Sequence, residues 1–149
     1  MRYFILIFYL FVSYVSAHDY EKENIKVVHP VMKMISSKSK NAAGYLEIIN
    51  NSSNNIVLKK VEVDFAKITD IHEIINVDNV YKMRPLKNGL VINTSEAVKL
   101  KPKSTHVMFI GLKKEYFDEE MLNARLVFAE DFFINIKFKV EISSNAHSH

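Results

Sequence analysis

Apolar and polar side chains alternate along much of the chain, with a dominant period of two residues. The clearest case is residues 132–142, where every second residue is apolar and the intervening positions from Asn135 to Glu141 are polar or charged. Successive side chains of a strand point to opposite faces, so this pattern predicts a strand with one buried face. Nine further stretches have similar composition, and the predicted strands are residues 25–27, 44–49, 56–65, 68–75, 77–83, 90–92, 97–100, 106–110, 124–128 and 132–142.

The segments between these strands predict turns. Residues 50–55 and 87–89 are rich in Asn, Ser and Gly, and residues 113–123 are expected to contain a short helical turn. Many short strands separated by turns are typical of a β-sandwich or barrel. The chain has 149 residues, three glycines, three prolines and no repeat, so we expect one all-β domain.

The first 17 residues have the features of a secretory signal peptide. Arg2 supplies the positive start, residues 3–12 are apolar, and Val15-Ser16-Ala17 is a small-residue cleavage pattern. The apolar run is shorter than the roughly 20 residues that span a bilayer. We therefore expect cleavage after Ala17, a mature domain over 18–142 with no membrane span, a tail over 143–149, and a periplasmic location. No cysteine follows Ala17, so lipid attachment is not expected.

Charge and motifs argue against several functions. The chain carries 20 basic and 17 acidic side chains, dispersed along the sequence, which is too slight an excess to indicate nucleic-acid binding. It has no glycine-rich phosphate loop, no serine or cysteine nucleophile motif and no His-Glu-x-x-His sequence. We therefore predict that it is not an enzyme. A blue-copper electron carrier is also disfavoured, because its copper–thiolate bond needs a cysteine.

Residues 70–108 hold four candidate metal donors, His72, Met83, His106 and Met108. A thioether sulfur suits Cu(I), and imidazole suits copper in either oxidation state. His106 and Met108 are two residues apart in a predicted strand, so they share one face. Neither donor type is consumed by disulfide formation, which suits an oxidising compartment. The pattern indicates a Cu(I) site.

Other histidines and methionines leave alternatives open. Met32 and Met34 share a face of the segment 31–35, and burial or rim packing is favoured over an accessory thioether pair. After cleavage, His18 offers an α-amine and an imidazole that can take Cu(II), or it is simply a frayed end. The tail residues His147 and His149 can likewise capture Cu(II), or they lie on a solvated tail.

Several segments resemble the periplasmic copper chaperones of the PCu(A)C type. The donor spacing is similar to that of the family, with ten residues between His72 and Met83 and then His106-x-Met108 after a gap of twenty-two residues, one more than the family spacing. Tyr81 stands where the family often has a further methionine. The similar segments are Ala42-Ala43-Gly44-Tyr45-Leu46-Glu47-Ile48-Ile49-Asn50, Tyr81-Lys82-Met83-Arg84-Pro85-Leu86, Leu100-Lys101-Pro102 and His106-Val107-Met108-Phe109-Ile110-Gly111-Leu112.

The resemblance implies a cupredoxin-like (Greek-key) β-sandwich that binds one Cu(I) through His72, Met83, His106 and Met108. It also implies a copper-accepting partner in cytochrome c oxidase assembly, either the dinuclear copper centre of the second subunit or a thiol-bearing assembly factor. We expect a monomer. The alternative is a secreted β-sandwich for partner binding or adhesion, which would bind no stoichiometric copper.

Overall fold

The computed structural model of the chain describes residues 18–143. The predicted signal peptide (1–17) and the tail histidines His147 and His149 lie outside the described residues. The regular structure of the described part consists of the strands β1 (Tyr20–Lys22), β2 (Ile25–Met34), β3 (Asn41–Asn50), β4 (Ile56–Val63), β5 (Ala66–Val77), β6 (Val80–Pro85), β7 (Leu90–Ile92), β8 (Ala97–Leu100), β9 (His106–Leu112), β10 (Met121–Phe128) and β11 (Phe133–Ile142). The predicted all-β class is confirmed.

Each predicted strand is present, but two features near the N-terminus were not predicted. The short β1 was missed, and β2 continues to Met34 instead of ending at Val27. The pairing of β2 with β3 shifts between Val28 and Val31, and His29 lies there with a φ of 52°. This β-bulge breaks the period of two, which is why the pattern did not reveal the second half of the strand.

The predicted helical turn in 113–123 is wrong, because the chain makes a turn there and then enters β10. Glu119 has a φ of 67° in the left-handed region, which is incompatible with a continuing helix. Its backbone N–H donates to the carbonyl of Val140 over 2.9 Å, tying the turn to β11. Within residues 18–143 the structure has no helix of the length and apolar character needed to cross a bilayer.

The strands form one hydrogen-bonded path in the order β6-β5-β9-β3-β2-β11-β10-β4-β7, with β1 added to β2 and β8 added to β3. Pairs of described strands are antiparallel except β2 with β11. The path folds into a β-sandwich around a single core. The largest fully buried side chains include Met32, Met34, Ile48, Leu58, Phe109, Leu126 and Phe138.

Strand β3 shows how the sheet separates a core face from an outer face. Ala42, Gly44, Leu46 and Ile48 are buried, whereas the residues between them, including Tyr45, are only half-buried and lie on the outer face. Gly44 is required by close packing, since a Cβ there would lie 2.8 Å from the Phe109 ring. The alternation in β3 therefore fixes which residues of the neighbouring β9 and β5 can reach the outer face.

Strand β5 is longer than its partner β9, so β5 and β6 extend beyond the body of the sandwich. The β5–β9 pairing covers Ala66 to His72, and the rest of β5 pairs with β6 alone in the described structure. We call residues 73–84 the hairpin arm. Its turn is Asp78-Asn79, with φ values of 54° and 64°, as a two-residue hairpin turn requires. The predicted strands 68–75 and 77–83 are therefore the two sides of one hairpin.

Candidate metal centre

The register of β5 against β9 places His72 directly opposite His106. Directly opposed residues of an antiparallel pair point to the same face, here the outer face. The ring centroids lie 6.0 Å apart and the ring planes meet at 84°. Two histidines separated by 33 residues in the sequence thus become neighbours, at a distance that one metal ion can bridge.

Met108 and Met83 lie on the same outer face on either side of the histidine pair. Met108 follows His106 by two residues and is opposite Asp70, itself two residues before His72. Met83 is opposite Ile74, two residues after His72. All four predicted donors therefore lie on one face of the adjacent strands β9, β5 and β6. Strand spacing predicted this association for His106 and Met108, and the family resemblance implied it for all four.

The four donors differ strongly in exposure. His106 is buried, with 5% of its surface exposed, and His72 and Met108 are half-buried. Met83 is 55% exposed because it lies on the edge strand β6. Met83 therefore lies at the rim of the donor face. The donor set runs from a buried nitrogen to a thioether that faces solvent.

His106 is held in one orientation by its surroundings. Its Nδ1 lies 2.9 Å from the carbonyl oxygen of Ser104. A carbonyl can only accept, so Nδ1 carries the hydrogen and donates it, and Nε2 keeps a lone pair that is available to a metal ion. The Tyr45 ring packs against the imidazole with centroids 6.3 Å apart. His106 is therefore oriented before any metal arrives.

Tyr45 adds bulk beside His106 without adding charge. Burial raises the pKa of the Tyr45 hydroxyl above its ordinary value, and the positive charge of Lys33 acts in the opposite direction. The phenol consequently stays neutral at physiological pH. Sequence reasoning did not identify Tyr45 or the Ser104 carbonyl as neighbours of a donor, although Tyr45 was part of a segment that resembles the family.

His72 presents a different situation, because its Nδ1 is buried and has no hydrogen-bond partner among the described residues. A buried polar atom left unpaired costs about 1–3 kcal/mol. A bond to a metal ion is one way to satisfy an imidazole nitrogen of this kind. The orphaned nitrogen therefore fits a metal-binding role for His72.

The chemistry of the donors points to a soft metal ion. Within residues 18–143 no group of three or more His, Cys, Asp or Glu side chains comes together. What this face offers is two imidazoles and two thioethers, a combination that suits Cu(I). Met32 and Met34 are in the core, as predicted, and the exposed His18 and His29 are on other parts of the chain.

Comparison with known proteins gives one family and several similar folds. A family model described as "Putative lipoprotein LpqE-like" matches residues 25–140. No curated protein sequence matches the chain. The apo PCuAC domain from PmoF1 is 22% identical with a TM-score of 0.70, over 84% of this chain and 99% of that domain. The copper-bound PCuAC domain from PmoF2 is 18% identical with a TM-score of 0.69, over 84% of this chain and 98% of that domain.

A further similar structure is Cu(I)-DR1885 from Deinococcus radiodurans, which is 18% identical with a TM-score of 0.61, over 89% of this chain and 85% of that one. These structures confirm the cupredoxin-like β-sandwich that the family resemblance implied. The predicted resemblance to PCu(A)C-type proteins is likewise confirmed. Because the family model spans most of its length, the chain belongs to the LpqE-like family.

Proposed function

We propose that this protein is a periplasmic copper chaperone that binds one Cu(I) through His72, Met83, His106 and Met108. The observation that carries the proposal is the β9–β5–β6 register, which aligns two imidazoles and two thioethers on one face. The donor types match Cu(I). Support also comes from the similar folds, since the PmoF2 domain is copper-bound and DR1885 holds Cu(I).

The exposure of the donors suggests an order of ligand exchange. His106 is buried and hydrogen-bonded to the Ser104 carbonyl, so it acts as the anchor of the site. Met83 is the most exposed donor and is neutral, so an incoming ligand replaces it first. Met108 and His72 follow, and His106 releases the ion last. A chaperone needs this arrangement, because its cargo must be held and still be reachable.

The acceptor is proposed to be a component of cytochrome c oxidase assembly, either the dinuclear copper centre of the second subunit or a thiol-bearing assembly factor. The support is the resemblance of the donor segments to PCu(A)C proteins. Mixing the Cu(I)-loaded protein with each purified acceptor tests this step. Copper should move to at least one of them, and its retention by the chaperone in both mixtures would contradict the assignment.

Export is the second part of the proposal. The first 17 residues predict a cleaved signal peptide, and the family description names a lipoprotein, a class of exported protein. N-terminal sequencing of the exported protein should begin at His18. Recovery of an intact Met1 in the membrane fraction would replace the soluble periplasmic carrier with an anchored one.

Anaerobic titration of the exported protein with Cu(I) against a competing chelator tests the binding function. We expect one tightly bound equivalent that is weakened by Met83→Leu and Met108→Leu. Met121→Leu is the matched control, because Met121 is a half-buried methionine at the start of β10 and is not on the donor face. Absence of stoichiometric copper would favour the alternative of a partner-binding or adhesion module.

A further inference from the structure

The hairpin arm exposes apolar side chains next to the proposed metal ligands. Every residue of β6 is exposed, and Tyr81 is 77% exposed. Tyr81 precedes Met83 by two residues, so both project from the outer face. Ile74, directly opposite Met83 in β5, is half-buried on the same face. A contiguous exposed apolar surface of this kind is typical of a protein-binding site.

The arm also has a free edge and little support from the body. In the described structure β6 pairs only with β5, and β5 beyond His72 pairs only with β6. An isolated two-stranded hairpin is marginally stable in water. Its one described ion pair joins Arg84 to Glu73 over 2.7 Å on the opposite face of the arm. The arm is therefore well placed to be ordered by a partner that covers Tyr81 and Met83.

Positive charge lies near the base of the arm. Lys101 and Lys103 lie on the exposed loop that ends at His106, closed by hydrogen bonds from the Lys101 amide to Thr105 and from the Ser104 amide to Lys101. Lys87 lies two residues after Pro85, the residue opposite His72, whereas Lys82 projects from the other face of the arm. Lys87, Lys101 and Lys103 form no ion pair within residues 18–143.

The acidic residues on the same part of the fold do not cancel this charge. Glu73 is paired with Arg84, which leaves Asp70 and Asp78 against three unpaired lysines. The proposed ligands are themselves neutral, so bound Cu(I) keeps its full positive charge on this face. Loading therefore makes the surface more positive, and copper release makes it less so.

Resting on the proposed function, we propose that the hairpin arm and the loop 101–105 form the docking surface for an acidic copper-accepting protein. The acceptor has an apolar centre that covers Tyr81 and Met83. Carboxylates around that centre face the lysines. Because the loaded face carries one more positive charge, such a partner associates preferentially with the loaded form and separates after transfer. Electrostatic complementarity of this kind raises association rates and selects partners.

Transfer on this surface is ligand exchange without a redox step. Copper remains Cu(I), and each bond from copper to this chain breaks as a bond to an acceptor ligand forms. An acceptor thiol that becomes a thiolate ligand releases its proton to solvent. Met83 is at the centre of the docking surface, so the first bond to be exchanged lies where the partner makes contact.

The test uses two synthetic dithiol peptides that differ only in their flanking residues, which are glutamates in one and lysines in the other. Copper transfer from the Cu(I)-loaded protein to each is followed by stopped flow. The acidic peptide should receive copper about tenfold faster at low salt, in the lower range of electrostatic steering. The difference should shrink as salt rises from about 20 mM to about 500 mM, because screening shortens the reach of charge.

The double variant Lys101→Glu, Lys103→Glu should lose the preference for the acidic peptide and transfer copper to both peptides at similar rates. Its Cu(I) affinity should be unchanged. Lys137→Glu is the matched control, since Lys137 is exposed on β11 and unpaired in the described part of the chain. It should keep the preference. Tyr81→Ser should slow transfer to the acidic peptide without changing Cu(I) affinity, because it removes apolar contact area and no ligand.

Three results would overturn the docking surface. Equal transfer to both peptides by a protein that binds one Cu(I) would refute it and leave the chaperone function standing. If the double variant keeps the full preference for the acidic peptide, the docking surface does not include Lys101 and Lys103 and lies elsewhere on the protein. If the loaded protein sediments with anionic phospholipid vesicles and the double variant does not, while the double variant still transfers copper to the peptides as the unaltered protein does, the lysines belong to a membrane-binding surface. Failure of the unaltered protein to bind Cu(I) would instead refute the chaperone function itself.

Discussion

His72 and His106 are directly opposite each other across the antiparallel β5–β9 ladder, with ring centroids 6.0 Å apart. They are not equivalent. His106 donates from Nδ1 to the Ser104 carbonyl, whereas Nδ1 of His72 is buried without a described partner. The orientation of His106 is therefore fixed by a hydrogen bond, whereas His72 has no such constraint at Nδ1 within the described residues. This asymmetry is the basis for expecting a fixed anchor and a replaceable set of ligands.

Replacing either thioether ligand should separate binding from folding. Met83→Leu and Met108→Leu conserve side-chain volume, and such swaps usually cost less than about 1.5 kcal/mol. We expect urea midpoints close to that of the unaltered protein, together with a sharp fall in Cu(I) affinity. Unchanged competition titrations for both variants would remove these methionines from the site.

Tyr45 should influence copper through His106. Tyr45→Ala removes the ring that packs on the imidazole, and Cu(I) affinity should fall about tenfold, as is common when a residue that orients a ligand is lost. Tyr45→Phe keeps the ring and should retain the affinity. Two-dimensional NMR of the imidazoles should show His106 as the tautomer protonated at Nδ1 in the Phe variant. In the Ala variant this single tautomer should be lost. Equal affinities for Ala and Phe would contradict the role.

Much of the strand pattern could be predicted, because burial alternates wherever a strand has one core face. Residues 132–142 are the clearest example, with Ile134, Ile136 and Phe138 buried and Asn135 and Lys137 exposed. The pattern is lost where the chain departs from that period. The bulge at His29 concealed half of β2, and the three-residue β1 is too short and too charged to show an apolar face.

The site was less predictable than the strands. The spacing of His106 and Met108 defines a shared face, since both residues are in one strand. The position of His72 opposite His106 depends on a pairing between distant strands, which only the family resemblance suggested. The carbonyl of Ser104 and the ring of Tyr45 act through geometry that has no signature in residue type.

Asn50 provides a test of the fold that leaves the site intact. It is fully buried, and its Nδ2 lies 2.8–3.2 Å from the carbonyls of Asn54, Ile92 and Asn93. Asn50→Ala leaves these groups unpaired and should lower the free energy of unfolding by about 1–3 kcal/mol. The exposed Asn51→Ala is the control and should change it little. Urea denaturation measures both, and equal stabilities would show that the Asn50 contacts contribute nothing.

Acid should affect the two kinds of predicted copper site differently. Imidazole binds metal only when neutral, so acidification weakens every histidine ligand, whereas a thioether stays competent. As the imidazoles become protonated, Cu(I) binding at the four donors should weaken only partly, because two of the donors are thioethers. Cu(II) capture by His147 and His149 should vanish over the same pH interval. Deleting residues 145–149 should abolish a Cu(II) equivalent and spare the Cu(I) equivalent. Retention of the second copper after the deletion would show that the tail is a solvated end.

The most direct measurement of the central claim is X-ray absorption spectroscopy at the copper edge of the anaerobically Cu(I)-loaded protein. The account predicts one Cu(I) with two sulfur and two nitrogen neighbours, and the loss of one sulfur in each of Met83→Leu and Met108→Leu. Met121→Leu should give the unaltered spectrum. Copper surrounded by nitrogen and oxygen alone, or a sulfur count that neither leucine variant changes, would contradict the assignment of His72, Met83, His106 and Met108 as the copper ligands.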